Sequence, residues 1–185
     1  MRNSTDRILT THVGSMPRAQ AVVDLLAKKE GGENYDRANF DLVMAAAVKA
    51  IVERQRSCGI DIVSDGEQSK PSYATYIKDR LTGFSGNGKP LRAADLDDFP
   101  QYLARLMARR AGGIRLARPC CTGPVAAKDR APLAADLRRM RAALAASGVE
   151  EGFVNAASPG VIAVFQPDQY YHSHERYLEA LSNAM

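Results

Sequence analysis

This chain predicts an α/β fold, with parallel strands in one sheet and helices packed outside it. Three observations carry the expectation. Short apolar runs end four times in a small, polar, Gly-containing turn: Val13-Gly14-Ser15, Ser64-Asp65-Gly66-Glu67, Cys121-Thr122-Gly123-Pro124 and Ala157-Ser158-Pro159-Gly160. Between those endings lie stretches whose apolar residues recur every three or four positions. Strand and helix alternate throughout, the pattern of a parallel sheet whose crossovers are helical.

The elements follow in chain order. Ile8 to Val13 is a short strand, closed by Gly14 and Ser15. A helix is expected to open at Pro17 and Arg18, to carry Val22, Val23, Leu25 and Leu26, and to end at Gly31-Gly32. A second runs from about Arg37 to Cys58, with one stripe formed by Phe40, Val43, Met44, Ala47, Val48, Ile51 and Val52. Gly59 is placed to stop it in the left-handed conformation. Ile60 to Val63 is the second strand. Pro71 starts another helix through Tyr73, Tyr76, Ile77 and Leu81. Thr82 to Pro90, with Gly83, Gly86 and Gly88, reads as a loop or irregular hairpin. Leu96 to Arg110 is helical, and Gly112-Gly113 breaks it. Ile114 to Cys120 is the third strand, Pro132 to Ser147 a helix closed by Gly148, and Phe153 to Ala156 the fourth strand. A last helix begins at His174, with Ser173 as N-cap and Glu175 in its first turn.

Bulk properties narrow the classes of function. At 185 residues the chain is long enough for one domain with a real core, yet short for a closed eightfold β/α barrel of roughly 250 residues. Apolar residues make up 45% and charged residues 25%, and Trp is absent, which suits a globular protein. A net charge of +4 is too small to argue for nucleic acid. The N-terminal Met1 to Arg7 leads into no long apolar run, so neither a signal peptide nor a membrane span is expected. Three cysteines without framework spacing favour a reducing, cytoplasmic setting.

The strand-end motifs carry a resemblance. Thr10-Thr11-His12-Val13-Gly14-Ser15-Met16-Pro17, the Asp65-Gly66-Glu67 turn with Tyr73 to Phe84 after it, and Thr122-Gly123-Pro124-Val125 resemble the cobalamin-independent methionine synthase family. Ala156 to Ala163 and Tyr170-Tyr171 resemble its short, single-barrel branch. The resemblance implies a (β/α)8 TIM-barrel fold, with residues 1–185 covering about the first four β/α units as one apparently truncated domain. It also implies a zinc ion that activates the thiol of homocysteine, which then takes a methyl group from 5-methyltetrahydrofolate to give methionine. Relatives alkylate other thiols, such as coenzyme M, or decarboxylate uroporphyrinogen. A non-catalytic fragment is the alternative from a different class.

Carried over residue by residue, the family's Ile-Gly-Ser turn, which contacts the amino-acid part of homocysteine, matches Val13, Gly14 and Ser15. Gly lets backbone approach a carboxylate, and backbone N–H groups with a Ser hydroxyl can donate to it. The Glu of the family's His-Gly-Glu turn, which holds the substrate ammonium, matches Glu67. The His of that turn is Asp65 here, and a Thr of the first motif is His12. The family's zinc ligands come from its second half and map to nothing in this chain. His172 and His174 read as polar residues at a helix start, and Cys120 and Cys121 as small core residues, rather than as metal ligands. The plain alternatives at the other positions are a βα turn for Gly14 and Ser15, an N-cap or surface acid for Glu67, loop hydrogen bonding for Asp65 and Thr122, and a satisfied core histidine for His12. The arginines Arg105, Arg109, Arg110, Arg138, Arg139 and Arg141 read as solvated helix faces. Four strands alone would leave open sheet edges, so self-association or a second polypeptide completing the barrel is expected.

Overall fold

A computed structural model describes residues 2–72, 74–89, 94–110 and 116–185. Its helices are α1 (Gln20–Gly31), α2 (Arg37–Ser57), α3 (Pro100–Arg110), α4 (Ala131–Ser147), α5 (Pro159–Phe165) and α6 (His174–Ala184). Its strands are short: β1 (Val63–Ser64), β2 (Phe84–Ser85), β3 (Cys120–Cys121) and β4 (Gly152–Phe153). Single 3₁₀ turns cover Thr75–Asp79 and Ala94–Asp98. The architecture is mixed α/β.

The sheet that positions the site is parallel. Thr11 bridges Ile62, and on the other side β1 pairs with β4 in the register Val63 to Gly152 and Ser64 to Phe153. The expected third parallel strand does not lie between them. Cys120–Cys121 instead runs antiparallel to Phe84–Ser85. The Gly-rich stretch after Thr82 supplies its partner, and backbone bonds from Thr122 N to the Gly83 carbonyl (2.7 Å) and from Thr82 N to the Ala126 carbonyl (2.8 Å) extend the ribbon. The segment that reads as an irregular hairpin is thus one half of a ribbon whose other half is the end of the expected third strand. Ile114, the first residue of that expected strand, and the Gly112-Gly113 break lie outside the described residues, as do Tyr73 and Pro90.

Helix-on-sheet packing makes the core. Val48 and Val52 of α2 and Met140 and Ala143 of α4 close over Val63 of β1. Val22 and Leu26 of α1 pack on Met44 of α2. On the far side, Tyr76, Ile77 and Leu81 join Ile162 of α5 and Tyr177 and Leu181 of α6.

The helix ends have local causes. The Asp36 carboxylate caps α2 by accepting from Ala38 N (2.8 Å) and Asn39 N (3.2 Å). Gly59 follows it at φ 78°, the left-handed stop that the sequence implied. Ser173 caps α6 by accepting from Arg176 N. α1 begins at Gln20 rather than Pro17, because residues 16–18 are tied to another loop: Met16 N donates to the Gly66 carbonyl (3.0 Å) and Arg18 Nη2 to the Glu67 carbonyl (2.9 Å). The stretch after Pro71 forms a 3₁₀ turn rather than an α-helix, with the Ser72 hydroxyl accepting from Thr75 N at 3.0 Å. α5 went unanticipated, although Ser158 caps it (Val161 N, 3.3 Å) and Pro159 occupies its first turn. No described helix is long and apolar enough to cross a membrane.

Candidate functional site

Three turns leave the C-terminal ends of the three parallel segments, and they converge. Val13, Gly14 and Ser15 follow the Thr11 segment. Glu67 and Lys70 follow β1. Asn155 to Ser158 follow β4. Together with Tyr76 and Val161 they line one cavity of about 340 Å³. The carboxyl ends of parallel strands are where β/α folds place their ligands.

The turn after β1 is the best-built part. Every residue from Val63 to Pro71 is buried, which is unusual for a loop because its backbone polar groups need partners inside the protein. They find them. Glu67 N donates to the Asp65 carboxylate (3.1 Å), Gln68 N to the Asp65 carbonyl (3.3 Å), and Lys70 N to the Glu67 carbonyl (3.1 Å). Arg18 Nη2 bridges the carbonyls of Glu67 (2.9 Å) and Lys70 (2.8 Å). Gly66 and Glu67 both take left-handed backbone, φ 58° and 54°. At Gly66 a Cβ would come within 2.9 Å of Ile51 Cγ2, so the first of the two has to be glycine. Glu67 tolerates the same conformation because its neighbours clamp it on both sides.

The clamp aims the Glu67 carboxylate at the cavity. One oxygen accepts from the Ser15 hydroxyl, and the other accepts from Asn155 Nδ2 at 3.0 Å. Three separate strand ends therefore meet at one carboxylate. Lys70 stands beside it, with only 4% of its side chain exposed. Its ammonium donates to the Asn155 carbonyl, sits 5.2 Å from the centre of the Tyr76 ring and lies 3.9 Å from the Asp65 carboxylate. The Tyr76 hydroxyl accepts from Ala157 N (3.3 Å), tying the β4 turn to the same group.

Charge in this pocket is nearly balanced: Asp65 and Glu67 against Lys70 and Arg18. Burial pushes the Asp65 carboxyl above its ordinary value, with the Lys70 ammonium pulling it back. Burial also lowers the Arg18 guanidinium, with Glu67 and Asp65 opposing. The Tyr76 phenol is raised by burial.

Of the residues expected at the site, Val13, Gly14, Ser15 and Glu67 line the cavity. Asp65 is not part of the lining, and its carboxylate accepts from Glu67 N. His12 is half-buried, with Nε2 sealed from solvent and without a partner, and is not part of the lining. Thr122 is exposed on the ribbon, its hydroxyl 2.6 Å from that of Ser85, and it is not part of the lining either. Its motif belongs to the excursion between β1 and β4 and not to a strand end of the parallel sheet. Lys70, Asn155 and Tyr76 were missed. Asn155 was within reach of the strand-end rule, since it follows Phe153-Val154. Nothing local to Lys70 announced it.

The cysteines and histidines do not gather. Cys58 is exposed, while Cys120 and Cys121 are buried, with burial raising the Cys121 thiol. His174 opens α6, and His172 sits at φ 51° in the turn that precedes it. Among the described residues no three His, Cys, Asp or Glu side chains stand where they could share an ion, so these residues do not fit the zinc that the resemblance implies.

Comparison with known proteins bears out the resemblance read from the motifs. Residues 8–92 match the family model described as cobalamin-independent synthase, catalytic domain. A 5-methyltetrahydropteroyltriglutamate–homocysteine methyltransferase from Bifidobacterium longum subsp. infantis is 29% identical over 75 residues, 40% of this chain and 10% of that one. Among solved structures, a B12-independent methionine synthase from a Shewanella species, in complex with selenomethionine, superposes with a TM-score of 0.65 at 19% identity. That superposition covers 95% of this chain and 45% of the other. A putative vitamin-B12 independent methionine synthase from Listeria monocytogenes gives 0.62 at 19% identity, over 96% and 47%. The chain thus spans less than half the length of the relatives it matches.

Proposed function

We propose that the cavity at the strand ends binds the amino-acid head of a thiol substrate in a cobalamin-independent methyl transfer, with homocysteine as acceptor and 5-methyltetrahydrofolate as donor. The observation that carries this reading is the Glu67 carboxylate. It is buried, it accepts from two neutral donors, and it is turned toward a cavity large enough for a small amino acid. Such a carboxylate recognises an ammonium through charge-assisted hydrogen bonds. The matching turn in the family holds the substrate ammonium in the same way, and the neighbouring Val13–Ser15 turn forms the wall along which the rest of the amino acid lies.

These residues contribute binding and orientation. Held at its ammonium, the substrate presents its sulfur at a set distance from the strand ends, which raises its effective concentration toward a methyl donor. The thiol-activating zinc of the family has no set of ligands among the described residues, so thiol activation is not assigned to any of them. A relative that alkylates another thiol is the second reading. It is favoured by Asp65, which stands where the family's larger branch has His.

Calorimetry with homocysteine tests the proposal. The chain is expected to bind it, and Glu67→Gln to weaken binding by roughly tenfold or more, the worth of a hydrogen bond to a charged group. Equal affinity of the two proteins would overturn the assignment. Tight binding of a thiol without an ammonium, unaffected by Glu67→Gln, would favour the second reading.

A further inference from the structure

The resemblance implies that the Gly-Ser turn contacts the amino-acid part of the substrate, but the Ser15 hydroxyl is already in use. A hydroxyl has one proton, and that of Ser15 is donated to Glu67. What Ser15 can still offer a ligand is a lone pair, which suits an ammonium and not a carboxylate. The anionic end of an amino acid therefore needs another partner in the same cavity.

Lys70 has the free capacity. Its ammonium carries three N–H donors. One goes to the Asn155 carbonyl. The Asp65 carboxylate, at 3.9 Å, is an ion-pair partner beyond hydrogen-bond reach, and the Tyr76 ring is a π-face 5.2 Å away. Two donors of a nearly fully buried cation are thus without acceptors among the described residues, in a group that lines the cavity beside Glu67. An unfilled donor on a buried charge is costly, and a ligand oxyanion would relieve that cost.

We propose that Lys70 binds the carboxylate of the α-amino acid whose ammonium rests against Glu67, and so is the residue that selects a zwitterion over a simple amine. This rests on the amino-acid reading of the cavity. The Asn155 side chain and carbonyl then serve both poles, donating to Glu67 and accepting from Lys70, and hold the two charges at a set spacing. The backbone N–H groups of the Val13–Ser15 turn remain available to the carboxylate, while its counter-charge comes from Lys70.

The test compares methionine, its decarboxylated amine and its deaminated acid by calorimetry. The wild-type chain is expected to prefer methionine over the amine by roughly 10- to 100-fold, as for a charge-assisted hydrogen bond. Lys70→Met should abolish that preference, read as the ratio of the two affinities because Asn155 couples the Lys70 and Glu67 poles. Lys70→Arg should retain much of the preference, and Ser15→Ala all of it. The deaminated acid should lose affinity with Lys70→Met and not with Glu67→Gln. If Lys70→Met melts early, because Asp65 is left unpaired, Asp65→Asn/Lys70→Met removes both charges and reads the same ratio. A preference that survives loss of Lys70 but disappears in Ser15→Ala overturns the assignment and leaves the amino-acid reading standing. Failure of the wild-type chain to bind any of the three overturns both.

Discussion

Two carboxylates buried two residues apart, Asp65 and Glu67, would repel each other out of any apolar site. Here each has a distinct task. Asp65 folds the turn by accepting from Glu67 N, and Lys70 stands opposite it. Glu67 faces outward and is steered by Ser15 and Asn155. The difference has a pH signature. Burial raises the Asp65 carboxyl above its ordinary 3.8, so its contribution to stability is complete below that value and declines as pH rises through the folded-state value. Asp65→Asn keeps the accepting oxygen and removes the titration. Wild-type stability should therefore fall relative to Asp65→Asn as pH is raised above about 4, read from denaturant melts over a pH series. Parallel pH profiles for the two proteins would show that the carboxylate is not penalised by burial. Gly14, Ser15 and Glu67 could be picked out from sequence because they match the motifs of the resemblance, at turns that follow apolar runs. Lys70 could not, because what makes it matter is the Asn155 carbonyl, 85 residues away.

The helices follow the same divide between local and distant causes. α2, α4 and α6 are legible in the sequence because their apolar stripes and terminal residues lie within a few residues of one another. The Asp36 cap is such a local cause, its carboxylate serving amides two and three residues on. Asp36→Ala removes an acceptor shared by two helix N-terminal amides and should cost about 1 kcal/mol, measured as a lowered denaturant midpoint at unchanged slope. An unchanged midpoint would mean that other groups cap α2. Strands depend on partners instead. Cys120–Cys121 has the composition of a buried strand and is one, but its neighbour is Phe84–Ser85. A Gly-rich stretch with little strand propensity supplied the pairing edge, and no local pattern reports that choice. The 3₁₀ turn at Thr75–Asp79 is similar, since Tyr76 is buried by contacts to the β4 turn rather than by a helical stripe.

Across the whole molecule, three parallel segments present outer edges on both sides. Among the described residues, the Thr11 segment pairs only toward Ile62 and β4 only toward β1. Ile8, just ahead of the first segment, is 84% exposed. Unpaired edges with exposed aliphatic side chains recruit further strands. The 185-residue chain should therefore associate in a concentration-dependent way in sedimentation velocity, and a single monomeric species throughout the micromolar range would count against that expectation. The α/β class and the strand-end location of the cavity were readable from the alternation of elements. The order of neighbours was not, because β1 pairs with β4 across an excursion of almost ninety residues that carries its own antiparallel ribbon.

Ser64 shows how the sheet makes room for that cavity. Its backbone N–H and carbonyl face the side on which the Thr11 segment runs, yet the Gln55 amide of α2 takes both, accepting at 2.9 Å and donating at 2.8 Å. A side chain thus stands in for the next peptide of the neighbouring strand, and Val13 to Ser15 are released from the ladder to reach Glu67. The Ser64 amide hydrogen is consequently guarded by a helix. Its exchange with deuterated solvent reports the undocking of α2, on a different clock from the Val63 amide one residue earlier, which is bonded to the Glu151 carbonyl and opens with the sheet.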